Sequence, residues 1–158
     1  MATCRSKPKN EANTSFMFPS LHHAVLKAVS SDIPKTWFSN QSGGAHTEYT
    51  THVMGKFKCD NDGCSNDGWG SKMVAILIRG FSENGYNAVV FNQRCRSCNK
   101  LGTMTLDENS YVERIAYRLK RWAGVKVERQ YHVERAGSPH KADLCEGCKS
   151  GYCPDWDM

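Results

Sequence analysis

Seven of the eight cysteines fall into three short clusters, and this grouping constrains the fold more than any other feature of the chain. Cys59 and Cys64 enclose CDNDGC, Cys95 and Cys98 enclose CRSC, and Cys145, Cys148 and Cys153 sit in HKADLCEGCKSGYC behind His140. Three chemistries gather cysteines this tightly: disulfide stapling, redox catalysis and metal binding. The first 20 residues, MATCRSKPKNEANTSFMFPS, lack the apolar region of a secretory signal. The longest apolar run, MVAILI at 73–78, is far short of the roughly 20 residues that cross a bilayer. The reading is therefore of a soluble, intracellular protein, cytoplasmic or nuclear, with no membrane span. Thiols stay reduced there, and paired cysteines hold metal more often than they form disulfides.

Without Cys4, which stands apart in a polar leader and reads as a free thiol, seven cysteines and His140 make eight candidate ligands. Eight fills two tetrahedral zinc shells, and gaps of two to four residues let two thiolates from one turn reach one ion. Glycine, asparagine and aspartate within the loops supply the tight turns. Two Zn2+ ions are expected, bound by Cys59, Cys64, Cys95, Cys98, His140, Cys145, Cys148 and Cys153. The thirty residues between Cys64 and Cys95 read as a β-hairpin. KMVAILIR forms one strand, SENG the turn and YNAVVFNQR the return. Knuckles at both ends of a hairpin make a zinc ribbon, which favours Cys59, Cys64, Cys95 and Cys98 as one site and the C-terminal four as another. An interleaved arrangement, with the first and third pairs on one ion, stays open. His132 is an alternative to His140, and His22 and His23 are weaker metal candidates.

These motifs resemble the 3CxxC-type zinc-binding domain, most closely its fungal members. The resemblance rests on MGKFKC at 54–59, GWGSK after the first pair, QRCRSC, YVERIAYRLKRW and the closing SPHKADLCEGCKSGYC, and it covers roughly residues 16–153. It implies a binding role, because the same domain occurs in vertebrate receptor-transporting proteins and in messenger-RNA-binding zygote-arrest proteins. The first pair here has four intervening residues where the vertebrate proteins have two. A C-terminal membrane anchor like that of the receptor-transporting proteins is not expected.

The expected fold class is α+β: a small zinc-stabilised domain with a hairpin, zinc-ribbon-like sheet, a packed amphipathic helix and cysteine knuckles. Residues 1–15 read as a disordered leader and 16–52 as an N-terminal helix plus flexible connector packing on the domain. Residues 53–154 are the zinc-binding domain and 155–158 an acidic tail. The first helix is expected from Ser20 as cap, with Leu21, Val25, Ala28 and Val29 on one face, ending before Pro34. The connector is NQSGGAHTEYT at 40–50. A second helix is expected from a Ser110–Glu113 capping box to Gly124, with Val112, Ile115, Ala116, Leu119 and Trp122 as its apolar face. KVERQYHV at 126–133 alternates like a strand.

Charge is unevenly distributed. Residues 112–141 hold eight Lys or Arg against three Glu, whereas 142–158 hold one Lys against four acids. The second helix carries Arg114, Tyr117, Arg118, Lys120 and Arg121, a basic stripe with an aromatic that could track the phosphates of RNA or another single strand. The competing reading is a solvated helix face whose arginines pair with nearby acids. Trp69 is expected to pack the hairpin rather than stack on a base. Catalysis is not expected, because seven thiolates and one histidine complete both shells and leave no coordination position open. The function expected is a non-catalytic zinc-binding module that binds RNA through the helix; a protein-interaction or trafficking adaptor is the alternative. The oligomeric state is not legible.

Overall fold

The computed structural model describes residues 14–59, 61, 63–126, 144–149 and 151. Its centre is the long antiparallel pair β3 (Thr47–Lys58) and β4 (Gly68–Phe81), in register from Thr47↔Gly80 to Lys58↔Gly68 with a bulge between Val53 and Gly55. β5 (Gly85–Phe91) pairs with the other side of β4, and β6 (Thr103–Leu106) with the outer edge of β3 near the knuckles. Two short strands, β1 (Ser15–Phe16) and β2 (Trp37–Phe38), both pair with β5, the second in parallel. The fold is thus α+β, as the sequence suggested.

The expected hairpin is β4 and β5. Its tip, Ser82–Asn84, puts Glu83 and Asn84 at φ of 58° and 67°. MVAILI reads as an unbroken apolar run because β4 is covered on both faces. Val74, Ile76 and Ile78 belong to the main core, while Ala75 and Leu77 form a second, smaller core with Phe91 and Cys145.

Helices α1 (His22–Val29) and α2 (Glu108–Trp122) cover the main face of the sheet. Val25 and Val29 of α1 are fully buried, as are Ile115 and Tyr111 of α2 to within 1%. Ala116 and Leu119 complete the buried stripe, and Val112 and Trp122 pack at its margin.

Three local expectations change. Ser20 does not cap α1, which instead grows out of a 3-10 turn at Pro19–Leu21. Proline at the start of that turn has no N–H to satisfy, so a side-chain cap is less needed. The cap of α2 is Asp107, whose carboxylate accepts the Ser110 N–H at 3.1 Å. Ser110 is thereby buried and accepts the Met54 N–H at 3.0 Å, joining helix to sheet. The helix ends as expected at Gly124, φ 82°, with the N–H groups of Gly124 and Val125 closing on Arg121 and Lys120. Finally, the connector expected over 40–50 is strand from Thr47 onward. The strand expected over 126–133 lies, past Lys126, outside the described residues.

Candidate metal centre

Strand pairing brings the first two cysteine pairs together. Cys59 directly follows β3 and Cys64 precedes β4, so their pairing fixes both at one end of the sheet. Cys95 and Cys98 occupy the turn between β5 and β6, which lie on either side of that pair. The first loop is shaped by asparagines. The Cys64 N–H donates to Asn61 O at 2.9 Å, and the Asn61 and Asn66 side chains accept from Gly63 and Gly68. Gly68 sits at φ 153°, where an added Cβ would run into the Phe57 carbonyl. The second loop closes through Asn99 at φ 63°, its N–H donating to Cys95 O at 2.7 Å.

The four sulfurs all lie within 4.8 Å of one another. Cys59 Sγ is 3.6 Å from Cys98 Sγ, and Cys64 Sγ is 3.7 Å from Cys95 Sγ. A tetrahedral zinc with Zn–S bonds of about 2.3 Å requires S···S edges of about 3.8 Å. The geometry and chemistry of the donor set both fit that ion. Among the described residues this is the one group of three or more ligating side chains that could hold a metal.

The protonation pattern points the same way. Burial opposes the Cys95 thiolate, but the N–H groups of Cys98 and Ser97 and the thiols of Cys64 and Cys59 hold it down at about 6. The Asn61 side chain and the Lys100 N–H hold Cys98 low. The Asn61 N–H favours the Cys59 thiolate, yet desolvation and the three neighbouring sulfurs push Cys59 up to about 12. Cys64 also rises, because desolvation and the Cys95 and Cys98 sulfurs outweigh the Asn66 N–H. Four adjacent thiols cannot all ionise by themselves, and a divalent cation removes that obstacle. Asn66 supports the shell further, donating Nδ2–H to Cys95 Sγ at 3.3 Å and its backbone N–H to Cys64 Sγ at 3.5 Å. Sequence reading passed over Asn61 and Asn66; the signal was an asparagine two residues after each cysteine of the first pair.

The other expected site residues are placed differently. Cys145 and Cys148 are not among the four clustered ligands; Cys145 bridges to Gln93, and the first cysteine pair groups with the second rather than with the third. The Cys148 N–H donates to Cys145 Sγ at 3.4 Å. His140, Cys153, His132 and Cys4 are outside the described residues. His22 holds Tyr86 Oη at 2.8 Å through Nδ1. Trp69 packs as expected, stacked on Phe57 with centroids 5.1 Å apart and its indole N–H on Gln93 Oε1.

The basic stripe of α2 is largely engaged within the fold. Arg114 Nη1 donates to His52 O at 2.9 Å, and the Arg118 guanidinium lies 3.5 Å from the centroid of the Tyr49 ring. Both contacts cover the stretch of β3 that β6 leaves unpaired, a covered sheet edge. Lys120 pairs with Asp32 at 3.3 Å; Arg121 is exposed, 5.9 Å from the Tyr117 ring.

An antiparallel sheet closed at one end by four cysteines from two knuckles defines a zinc-ribbon type of metal-binding domain. The family model of the 3CxxC zinc-ribbon class, described as a zinc-binding domain, matches residues 52–151, and the chain belongs to that family. Neither the curated proteins nor the solved structures contain a match. Among the described residues, no helix is long and apolar enough to cross a membrane.

Proposed function

We propose that the chain is a non-catalytic zinc-binding module that acts by binding a protein partner, with its metal serving structure. The observation that carries this is the four-thiolate shell. Catalytic zinc keeps a position open for water or substrate, whereas four cysteines close the tetrahedron. The adaptor reading is favoured over the RNA reading by the contacts of α2. Arg114, Arg118 and Lys120 have partners inside the fold, which leaves Arg121 as the exposed cation of the stripe.

A labelled single-stranded RNA titrated at several salt concentrations tests this choice. Each phosphate contact contributes about −0.7 to the slope of log affinity against log salt. With one exposed arginine, the expected slope is shallower than about −1.4, the value for two contacts. A slope steeper than about −2, flattened by Arg121→Glu, would restore the RNA reading.

A second ion is part of the proposal. The two-residue gap between Cys145 and Cys148, and the Cys148 N–H on Cys145 Sγ, match the local form of a zinc knuckle. By sequence, His140 and Cys153 complete its ligand count. Elemental analysis of the purified protein should then give about two zinc ions per chain. A value near one would confine the metal to the four-cysteine centre.

A further inference from the structure

Among the described residues, the sheet has one edge that the fold leaves open. At its far side, β1 and β2 both pair with β5, and where β6 ends, the arginines of α2 cover β3. β6 closes the strand order, with β3 on one side and no described strand on the other. The direction of its backbone groups follows from the register. Asp107 N–H donates to Met54 O, and Thr105 and Thr103 continue that hydrogen-bonded row opposite Lys56 and Lys58. The backbone N–H and C=O of Met104 and Leu106 therefore point outward, and they have no partner among the described residues.

Such an edge is a template for another chain, and proteins ordinarily blunt it with lysine, proline or a bulge. The sequence of β6, Thr-Met-Thr-Leu, has none of these, and its pairing with β3 runs without a register shift. The charge stands one strand further in. Lys56 and Lys58 lie across from Thr105 and Thr103, exposed and without an ion pair among the described residues. Their β4 neighbours are Gly70 and Gly68, so no side chain crosses to them from that strand. The other face of this strip is apolar: Met104 and Leu106 pack, half-buried, against the core that holds Phe57.

We propose that the outer edge of β6 is a docking site for an extended protein segment in which acidic residues alternate with apolar ones. The inference rests on the partner reading above and names the partner's chemistry. A strand added at β6 pairs its backbone with Met104 and Leu106, the mode by which sheet edges recruit peptides. Its side chains alternate between the two faces. Those beside Met104 and Leu106 meet the apolar margin. Those beside Thr103 and Thr105 stand about 10 Å from β3, where the long lysine side chains reach toward them over the short threonines. Carboxylates fit there. Nucleic acid has no backbone of alternating N–H and C=O groups, so the edge selects a peptide.

The test is an NMR titration of the zinc-loaded full chain with the blocked hexapeptide Val-Asp-Val-Asp-Val-Asp at low salt. The amide signals of Thr103–Leu106 should shift, and the amide protons of Met104 and Leu106 should gain protection from hydrogen exchange. Those of Thr103 and Thr105, already directed at β3, should change little. The blocked peptide Val-Lys-Val-Lys-Val-Lys should bind about fivefold more weakly, the effect of two surface charge contacts. In a Lys56→Glu, Lys58→Glu variant that keeps its zinc, this preference should reverse. A probe N-methylated at every residue should not bind. Equal affinities for the two charge forms, binding that survives N-methylation, or shifts confined to other regions would overturn the proposal. So would binding that appears only in an Asp155→Asn, Asp157→Asn variant, which would make the chain's own acidic tail the occupant. A silent β6 with a shallow RNA slope would overturn this edge alone, whereas a steep slope would overturn the partner reading on which it rests.

Discussion

Cys95→Ser is expected to unfold the knuckle end of the sheet and, with it, most of the domain. Cys95 is fully buried and stands where the two knuckles meet, accepting from Asn66 and facing Cys64 at 3.7 Å. Structural zinc contributes on the order of 10 kcal/mol or more, comparable to the whole stability of a domain. Serine supplies no thiolate, and three sulfurs then surround an ion that needs four ligands. Elemental analysis should show the loss of this zinc, and amide dispersion in a heteronuclear spectrum should collapse. Cys4→Ser, outside the three clusters, should change neither. Acid should act in the same direction. Loading the site displaces the proton of Cys59, held up at about 12, so protons and zinc compete for the same sulfur. Zinc retention against a fixed chelator should therefore fall as pH falls, by up to about tenfold per unit for each proton displaced. A Cys95→Ser protein with native dispersion would mean that the metal is not what holds the sheet.

The four-cysteine centre was legible because its grammar is local. Cysteine gaps and turn residues specify a knuckle within six positions, and the apolar run before SENG specifies the hairpin that brings two knuckles together. β3 was only partly legible. Thr47–Thr50 are polar and mostly exposed, so this half of the strand has no buried face to write an alternation into the sequence. Val53 and Phe57 do point inward, but the bulge between Val53 and Gly55 breaks the period. The surroundings of the α2 arginines were not legible for a different reason. Helical periodicity separates Arg114 and Arg118 from Ile115 and Leu119, yet it cannot reveal that the unpaired edge of β3 lies beside them. The partners of Arg114 and Arg118, His52 O and the Tyr49 ring, lie 62 and 69 positions away in the chain and become their neighbours only once β3 forms. The Asp107 cap was missed because Asp107, Asn109 and Ser110 are all competent caps; burial of Tyr111 selects the earliest.

Glu146→Ala is expected to release the C-terminal knuckle from the sheet while leaving the four-cysteine centre loaded. The segment carrying Cys145 and Cys148 is attached by two backbone hydrogen bonds to the residues after β5. Arg94 N–H donates to Leu144 O and Glu146 N–H donates to Asn92 O, which together make an antiparallel bridge between Cys145 and Gln93. Gly147 lets this segment lie against β4, because a Cβ there would collide with the Ala75 methyl. Across the junction, Arg94 Nε meets Glu146 Oε2 at 2.6 Å, with the two side chains only 12% and 8% exposed. Removing one partner of a buried pair costs up to about 3–5 kcal/mol, because the other charge remains desolvated. Arg94 keeps its contact with Asn99 O at 3.0 Å, so the lower end of about 3 kcal/mol is expected. Glu146→Gln, which preserves a carbonyl acceptor, should lose less. Hydrogen exchange should show protection falling at 144–149 well before it falls in β4. Because this segment holds two of the ligands proposed for the second ion, mild chelation of the alanine variant should take about one zinc per chain and leave the other bound. Loss of both ions together would mean that the two knuckles form one cooperative unit. Retention of both, with exchange unchanged, would remove this ion pair from any role in holding the segment.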